Sequence, residues 1–126
     1  MNAPQKKRKR VLIVEDDDAF AGLACEYLEK ENVDAGSAAN TAAALASMKM
    51  NPADLVLLDI HLGGEDGLAF LLVLKKLYPQ IPVVVLTGIG YDNAMMKVAM
   101  RNGAATYFSK ENNFQDLIGL LERLLK

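Results

Sequence analysis

Four short stretches of this chain end on polar side chains that can do chemistry. Val11 to Val14 runs into Glu15 and Asp16, Leu55 to Leu58 into Asp59, Val83 to Leu86 into Thr87, and Ala105 to Ser109 into Lys110. Three carboxylates brought into one small site repel one another, and either protonation or a cation relieves that repulsion. Lys110 supplies one positive charge. Oxygen ligands that leave room for water suit a hard divalent ion, Mg²⁺ first and Mn²⁺ as a substitute. A metal beside Asp59 would hold an incoming phosphoryl group by its oxygens. Lys110 can pair with a second phosphoryl oxygen, and the Thr87 hydroxyl can donate to a third. Asp59 itself can act as a nucleophile and form an aspartyl phosphate.

Such chemistry needs a scaffold that gathers residues spread from Glu15 to Lys110. The apolar runs at 11–14, 55–58 and 83–86 suit strands buried on both faces, and weaker strands are expected over Val33–Ser37 and Ala105–Ser109. Between them lie helical patterns. The first is capped by Asp18 and carries Phe20, Leu23, Ala24, Tyr27 and Leu28. An alanine-rich one is capped by Asn40 or Thr41 and runs to about Met48. The others are expected over Leu68–Leu77 behind the loop from Gly63 to Gly67, and over Asp92–Arg101 closed by Asn102-Gly103. The last is capped by Asn113 and carries Phe114, Leu117, Ile118, Leu121, Leu124 and Leu125. Strand and helix alternate five times, which calls for an α/β fold with a five-stranded parallel sheet and helices on both faces. The order 2-1-3-4-5 fits five strands. It makes strands one, three, four and five a contiguous set of neighbours, with their polar ends along the edge where open α/β sheets bind ligands.

The chain has 126 residues, 52% hydrophobic and 24% charged, a globular composition of single-domain size. The single cysteine, Cys25, excludes an intrachain disulfide framework. The single histidine, His61, excludes a two-histidine metal site. No apolar run approaches the roughly 18 residues of a membrane helix, and no hydrophobic segment follows the basic N-terminus as a secretory signal would require. The expected setting is cytoplasmic. Residues 1–10 form a basic arm that includes Lys6, Lys7, Arg8, Lys9 and Arg10, so the 116 residues after it carry a formal −7 against −2 for the whole chain. The arm reads as solvated or as a lead-in to the first strand, and residues 11–126 as the folded domain.

Taken together, these stretches resemble the receiver domain of bacterial two-component response regulators. The resemblance rests on Val11 to Asp17, on Leu57 to Asp59 with Gly67 eight residues later, on Val83 to Gly88, and on Asn102 to Ala104 followed by Tyr107 to Lys110. It implies that Asp59 accepts a phosphoryl group from a sensor histidine kinase or a histidine phosphotransfer protein. It also implies Asp16 and Asp59 as direct Mg²⁺ ligands, Glu15 acting through metal-bound water, and the backbone carbonyl of His61 as a further ligand. Thr87 and Lys110 match the pair that contacts the phosphoryl group, and Tyr107 matches an aromatic switch position. A signalling domain of this kind catalyses its own phosphotransfer and autodephosphorylation only. Its regulated contact is expected on the face of the fourth helix, fifth strand and fifth helix, as a homodimer or with another protein, with no membrane and no direct nucleic-acid contact.

Three departures from the family pattern bear on loop geometry and phosphoryl lifetime. Gly63 stands where proline is usual four residues after the phosphoacceptor, Ile89 lies two after Thr87, and Glu111 follows Lys110 where proline is usual. A non-proline cis bond costs about 2.5 to 4 kcal/mol, so a trans Lys110–Glu111 bond is expected.

Each residue also has a plainer reading. Asp17 and Asp18 suit a helix N-terminus better than a metal. Tyr107 can be strand packing, Cys25 reads as helix packing, and Met95, Met96 and Met100 as core or a pliable binding face. Gly88, Gly90 and Asn93 come near a dinucleotide fingerprint but sit after the fourth strand and end in asparagine. An aspartate-nucleophile phosphatase of the haloacid-dehalogenase type would need a second carboxylate two residues after Asp59, and that place is His61. A receiver that binds partners without phosphorylation is the remaining rival.

Overall fold

The computed structural model describes residues 8–88 and 93–126. Lys6 and Lys7 of the basic arm, Ile89, Gly90 and the expected helix start Asp92 lie outside the described residues. The elements are β1 (Arg10–Val14), α1 (Asp18–Lys30), β2 (Asp34–Ala38), α2 (Thr41–Met50), β3 (Leu55–Asp59), α3 (Gly67–Leu77), β4 (Val83–Thr87), α4 (Asn93–Arg101), β5 (Thr106–Ser109) and α5 (Phe114–Leu125). The five strands form one parallel sheet in the order β2-β1-β3-β4-β5, as the alternating pattern implies.

The strand period of two sorts the apolar runs onto two cores. Leu12, Val14, Val56, Leu58, Val83 and Val85 face the layer made by α2, α3 and α4, where Met48, Phe70, Leu71, Leu74, Met96 and Ala99 meet them. Val11, Ile13, Leu55, Leu57, Val84 and Leu86 face α1 and α5, against Ala24, Leu28, Leu117, Ile118 and Leu121. All these strand residues are at most 1% exposed, which is why the runs show no polar alternation.

Several boundaries differ from the sequence expectation, each for a local reason. Arg10 belongs to β1 rather than to a free arm. Its N–H donates to Asp54 (2.8 Å), and its guanidinium pairs with Asp34 (3.2 Å). Arg8 pairs with Glu29 (3.3 Å), so the end of the basic stretch is a lead-in. β2 begins at Asp34 because Val33 still closes α1, donating its N–H to the Leu28 carbonyl (3.0 Å) beyond Asn32 at φ +62°. β5 likewise begins at Thr106, one residue late, and β4 includes Thr87.

Asp17, not Asp18, caps α1, its Oδ1 accepting from the N–H groups of Ala19 (3.0 Å) and Phe20 (3.2 Å). The buried stripe of α1 is Ala21, Ala24 and Leu28, while Leu23 and Tyr27 lie on its exposed side. Asn40 caps α2, which continues to Met50. The glycine-rich loop after β3 contains a two-strand turn pairing His61 with Asp66 and Leu62 with Glu65. Met96 is core, Met95 packs partly against it, and Met100 is exposed. Cys25 is half-buried against the α1–α5 core, and burial pushes its thiol up, as packing rather than reactivity requires.

Candidate functional site

β1, β3, β4 and β5 are successive neighbours in the sheet, so their C-terminal ends share one edge. Asp59 ends β3 and Thr87 ends β4. Glu15 immediately follows β1, and Lys110 follows β5. Glu15, Asp59 and Thr87 are the buried polar side chains among the described residues, at 1%, 2% and 5% exposure. Asp16 is exposed beside them, and carboxylate oxygens of Glu15, Asp16 and Asp59 lie within 4.8 Å of one another. The residues expected to do chemistry are thus brought together.

Lys110 holds the acidic pair. Its Nζ lies 2.8 Å from Asp59 Oδ2 and forms an ion pair with Glu15 Oε1. The second Asp59 oxygen, Oδ1, accepts the His61 N–H at 2.8 Å. Glu15 Oε2 is buried and accepts no hydrogen bond.

Two carboxylates sharing one ammonium cannot both ionise cheaply in a buried place. Burial and the adjoining Asp59 push Glu15 up to about 8, against the lowering pull of Lys110. Burial alone would raise Asp59 as well. Its contact with Glu15, the Lys110 ammonium and the His61 N–H outweigh burial and hold it below its ordinary 3.8. Burial would lower Lys110, but Asp59 and Glu15 together raise it above 10.5. Burial and the shared contact thus favour the neutral form at Glu15, while Lys110 and the His61 N–H favour the charged form at Asp59.

The sequence departures have visible consequences. Gly63 adopts φ +36°, which proline cannot reach, and a Cβ there would stand 2.8 Å from Asp16 Oδ2. The glycine leaves room for the Asp16 carboxylate. All peptide bonds among the described residues are trans, including Lys110–Glu111 as expected. The loop after β5 is closed by Ser109, whose Oγ accepts the Glu111 N–H (3.1 Å) and whose carbonyl accepts that of Asn112 (3.1 Å). The His61 side chain is exposed, so only its backbone addresses Asp59. The Thr87 hydroxyl donates to the Phe108 carbonyl at 3.5 Å. Tyr107 is half-buried, packed against the α2–α4 core, and lines a groove of about 440 Å³ with Asn93, Met96, Lys97, Met100 and Arg101.

Two contributors escaped the sequence reading. Phe20 sets its ring under Lys110 Nζ, 4.9 Å from the centroid. Glu65 accepts from the N–H (3.0 Å) and hydroxyl (2.6 Å) of Thr41, tying the loop after Asp59 to the start of α2. A capping glutamate twenty-four residues downstream of its helix leaves no local signature.

A doubly wound sheet with an acidic, lysine-bearing cleft at its strand ends defines a class of domain, and comparison with known proteins identifies it. Residues 11–122 match the family model of the response regulator receiver domain, and the chain belongs to that family, whose role is that of a phosphoacceptor in two-component signalling. It is 34% identical over 118 residues to the nitrogen assimilation regulatory protein NtrX of Azorhizobium caulinodans, covering 92% of this chain and 26% of that protein. The crystal structure of the receiver domain of NtrX from Brucella abortus superposes with a TM-score of 0.85 at 34% identity, covering 91% of this chain and 97% of that one. A CheY-like receiver domain protein from Methanospirillum hungatei gives 0.88 at 29% identity, covering 94% of each. The chain spans about a quarter of the length of the NtrX-type relatives it matches. Domains of this family are phosphorylated by histidine kinases. No helix among the described residues is long and apolar enough to cross a membrane.

Proposed function

We propose that Asp59 is the phosphoacceptor of this receiver domain and that Glu15, Asp16 and Asp59 hold Mg²⁺, or Mn²⁺ in its place. The observation that carries this reading is Asp59 itself, ionised at a buried strand end, with Lys110 on one oxygen and the acidic pair beside it. The donor set fits a hard cation: all oxygen, close-spaced, with one buried Glu15 oxygen lacking a hydrogen bond. The His61 carbonyl would complete the protein ligands. When bound, the ion neutralises charge on the transferring phosphoryl group.

The chain's own residues do the rest. Asp59 attacks the phosphorus of a phosphohistidine on a sensor kinase or phosphotransfer protein. The new O–P bond forms as the P–N bond breaks, and the histidine nitrogen takes back the electron pair. Lys110 turns an N–H to a phosphoryl oxygen. Thr87 leaves the Phe108 carbonyl to donate to another, and its movement gives Tyr107 room to turn inward. The face of α4, β5 and α5, with its groove at Tyr107, then makes the regulated contact, as a homodimer or with another protein. The domain turns over no separate substrate. It works in the cytoplasm, with residues 11–126 as the signalling unit and the end of the basic stretch, Arg8 to Arg10, leading into its first strand.

The test is phosphorylation by acetyl phosphate, followed by intact-mass measurement. With Mg²⁺ the chain is expected to gain one hydroxylamine-labile phosphoryl group, and excess EDTA is expected to abolish the gain. An EDTA-insensitive rate would contradict the metal assignment.

The raised Glu15 carboxyl makes a further prediction. Between its ordinary 4.5 and its folded value of about 8, the folded chain carries a proton that the unfolded chain has lost. Stability from this group is therefore complete below 4.5 and is lost as pH rises towards 8. The lowered Asp59 and raised Lys110 act outside that window. The Tm of the metal-free protein is expected to fall from about pH 5 to about pH 8. Mg²⁺ is expected to raise Tm more at the upper end, where it no longer competes with the proton. A metal-free Tm that climbs across the window would show Glu15 to be ionised.

A further inference from the structure

We propose that Phe20 is a positioning residue for phosphoryl transfer, its ring holding the Lys110 ammonium over Asp59. The proposal rests on the reading of Asp59 as phosphoacceptor.

A lysine ammonium has three N–H donors on a flexible stem with large rotamer freedom. Two directions of the Lys110 ammonium are taken by Asp59 Oδ2 and Glu15 Oε1. The face of Phe20 covers another, with Nζ 4.9 Å from the ring centroid. A benzene face attracts a cation through its quadrupole and, unlike water, offers no competing hydrogen bond. The ammonium is thus attracted to the ring without spending a donor on it, and a donor can turn to the phosphoryl oxygen without the stem leaving its place.

The ring is itself fixed. Its backbone N–H is bound to the α1 cap, Asp17 Oδ1, at 3.2 Å. It also packs on Phe114 at the start of α5, with centroids 5.0 Å apart and planes tilted by 37°. Phe114 in turn stacks on Tyr27 at 5.2 Å and 11°. The support comes from two helices on either side of the lysine, α1 after Glu15 and α5 after Lys110. A charged group fixed in advance where charge is transferred lowers the barrier without reorganisation at the moment of reaction.

The experiment compares Phe20→Leu, Phe20→Tyr and Phe114→Leu with the wild type, using acetyl phosphate and saturating Mg²⁺. Phe20→Leu keeps an apolar side chain but removes the π face. The rate at saturating donor is expected to fall ~3- to 10-fold, with the half-saturating donor concentration unchanged. Phe20→Tyr is expected to restore the rate to within about twofold, because it keeps the ring. Phe114→Leu removes the packing that fixes the ring but leaves the ring under Lys110, and its rate is expected to fall clearly less than that of Phe20→Leu. A second readout needs no donor: the ε-methylene protons of Lys110 should show an upfield ring-current shift in wild type and Phe20→Tyr that disappears in Phe20→Leu.

Equal slowing by Phe20→Leu and Phe114→Leu would reduce Phe20 to packing and overturn the proposal, as would a Phe20→Tyr variant no faster than Phe20→Leu. A wild type that reacts while Phe20→Leu reacts equally fast sinks this proposal alone. A wild type that takes up no phosphoryl group sinks the phosphoacceptor reading and this proposal with it.

Discussion

Asp59→Asn is expected to accept no detectable phosphoryl group under conditions where the wild type is modified. The amide has the shape of the carboxylate but no ionised oxygen to attack phosphorus. The other carboxylates do not replace it: Glu15 is fully buried behind the end of the neighbouring strand β1, and Asp16 lies exposed without the lysine contact. The substitution also has a consequence at its neighbour. Asp59 raises Glu15 both by direct contact and by its charge, while Lys110 lowers it. Burial, the largest cause of the rise, remains, but with the charge at 59 gone and Lys110 left to Glu15, the Glu15 carboxyl is expected to titrate below its wild-type value of about 8. Carbon NMR of the side-chain carboxyl reads both forms. An unshifted Glu15 in Asp59→Asn would show that the two carboxylates do not share their titration.

Gly67→Ala is expected to be the most destabilising of the small substitutions near the site. Gly67 opens α3 and is buried against the chain just beyond β3. A Cβ there would stand 2.5 Å from Ile60 Cα and 2.8 Å from the Asp59 carbonyl oxygen. Both neighbours are backbone, so relief requires moving α3 or the end of the strand that carries Asp59. A loss of about 2 to 4 kcal/mol and a Tm lower by roughly 10 °C are expected. Gly22→Ala is the control. It lies within α1 with nothing within 4 Å of its Cβ position, and gains about 0.5 to 1 kcal/mol from helix propensity alone. Thermal denaturation of the two variants should move in opposite directions. A Gly67→Ala protein as stable as wild type would mean that the helix and the strand end do not approach as closely as this.

The sheet order and the strand-end residues were legible because they follow from features that a linear sequence carries. Three unbroken apolar runs can be buried only between two helix layers, and each runs directly into the polar residue it positions. The boundaries were less legible where the chain's neighbours decide them. β2 starts at Asp34 because the α1 exit holds Val33, and Arg10 joins β1 because Asp34 and Asp54 hold it from other segments. The apolar face of α1 was misplaced for a related reason. Small Ala21 and Ala24 let the helix lie close on the sheet, leaving the larger Leu23 outside. At the site, residue types predicted a cation-binding carboxylate cluster, but not which carboxylate keeps the proton. That depends on Glu15 being buried completely while Asp16, its neighbour in sequence, is exposed. Phe20 carried only a helix-periodicity signal. Nothing local to it announces that a lysine ninety residues away will lie over its ring.

The most direct measurement of the central claim is the site of modification itself. The wild-type protein, phosphorylated with acetyl phosphate and Mg²⁺, can be trapped by borohydride reduction, which converts an aspartyl phosphate to homoserine, and then digested and sequenced by tandem mass spectrometry. The account predicts a single homoserine at position 59, in the peptide that continues Ile60-His61-Leu62. A homoserine at Asp16 or any other aspartate, or a phosphoryl group carried on His61 with Asp59 unchanged, would contradict it.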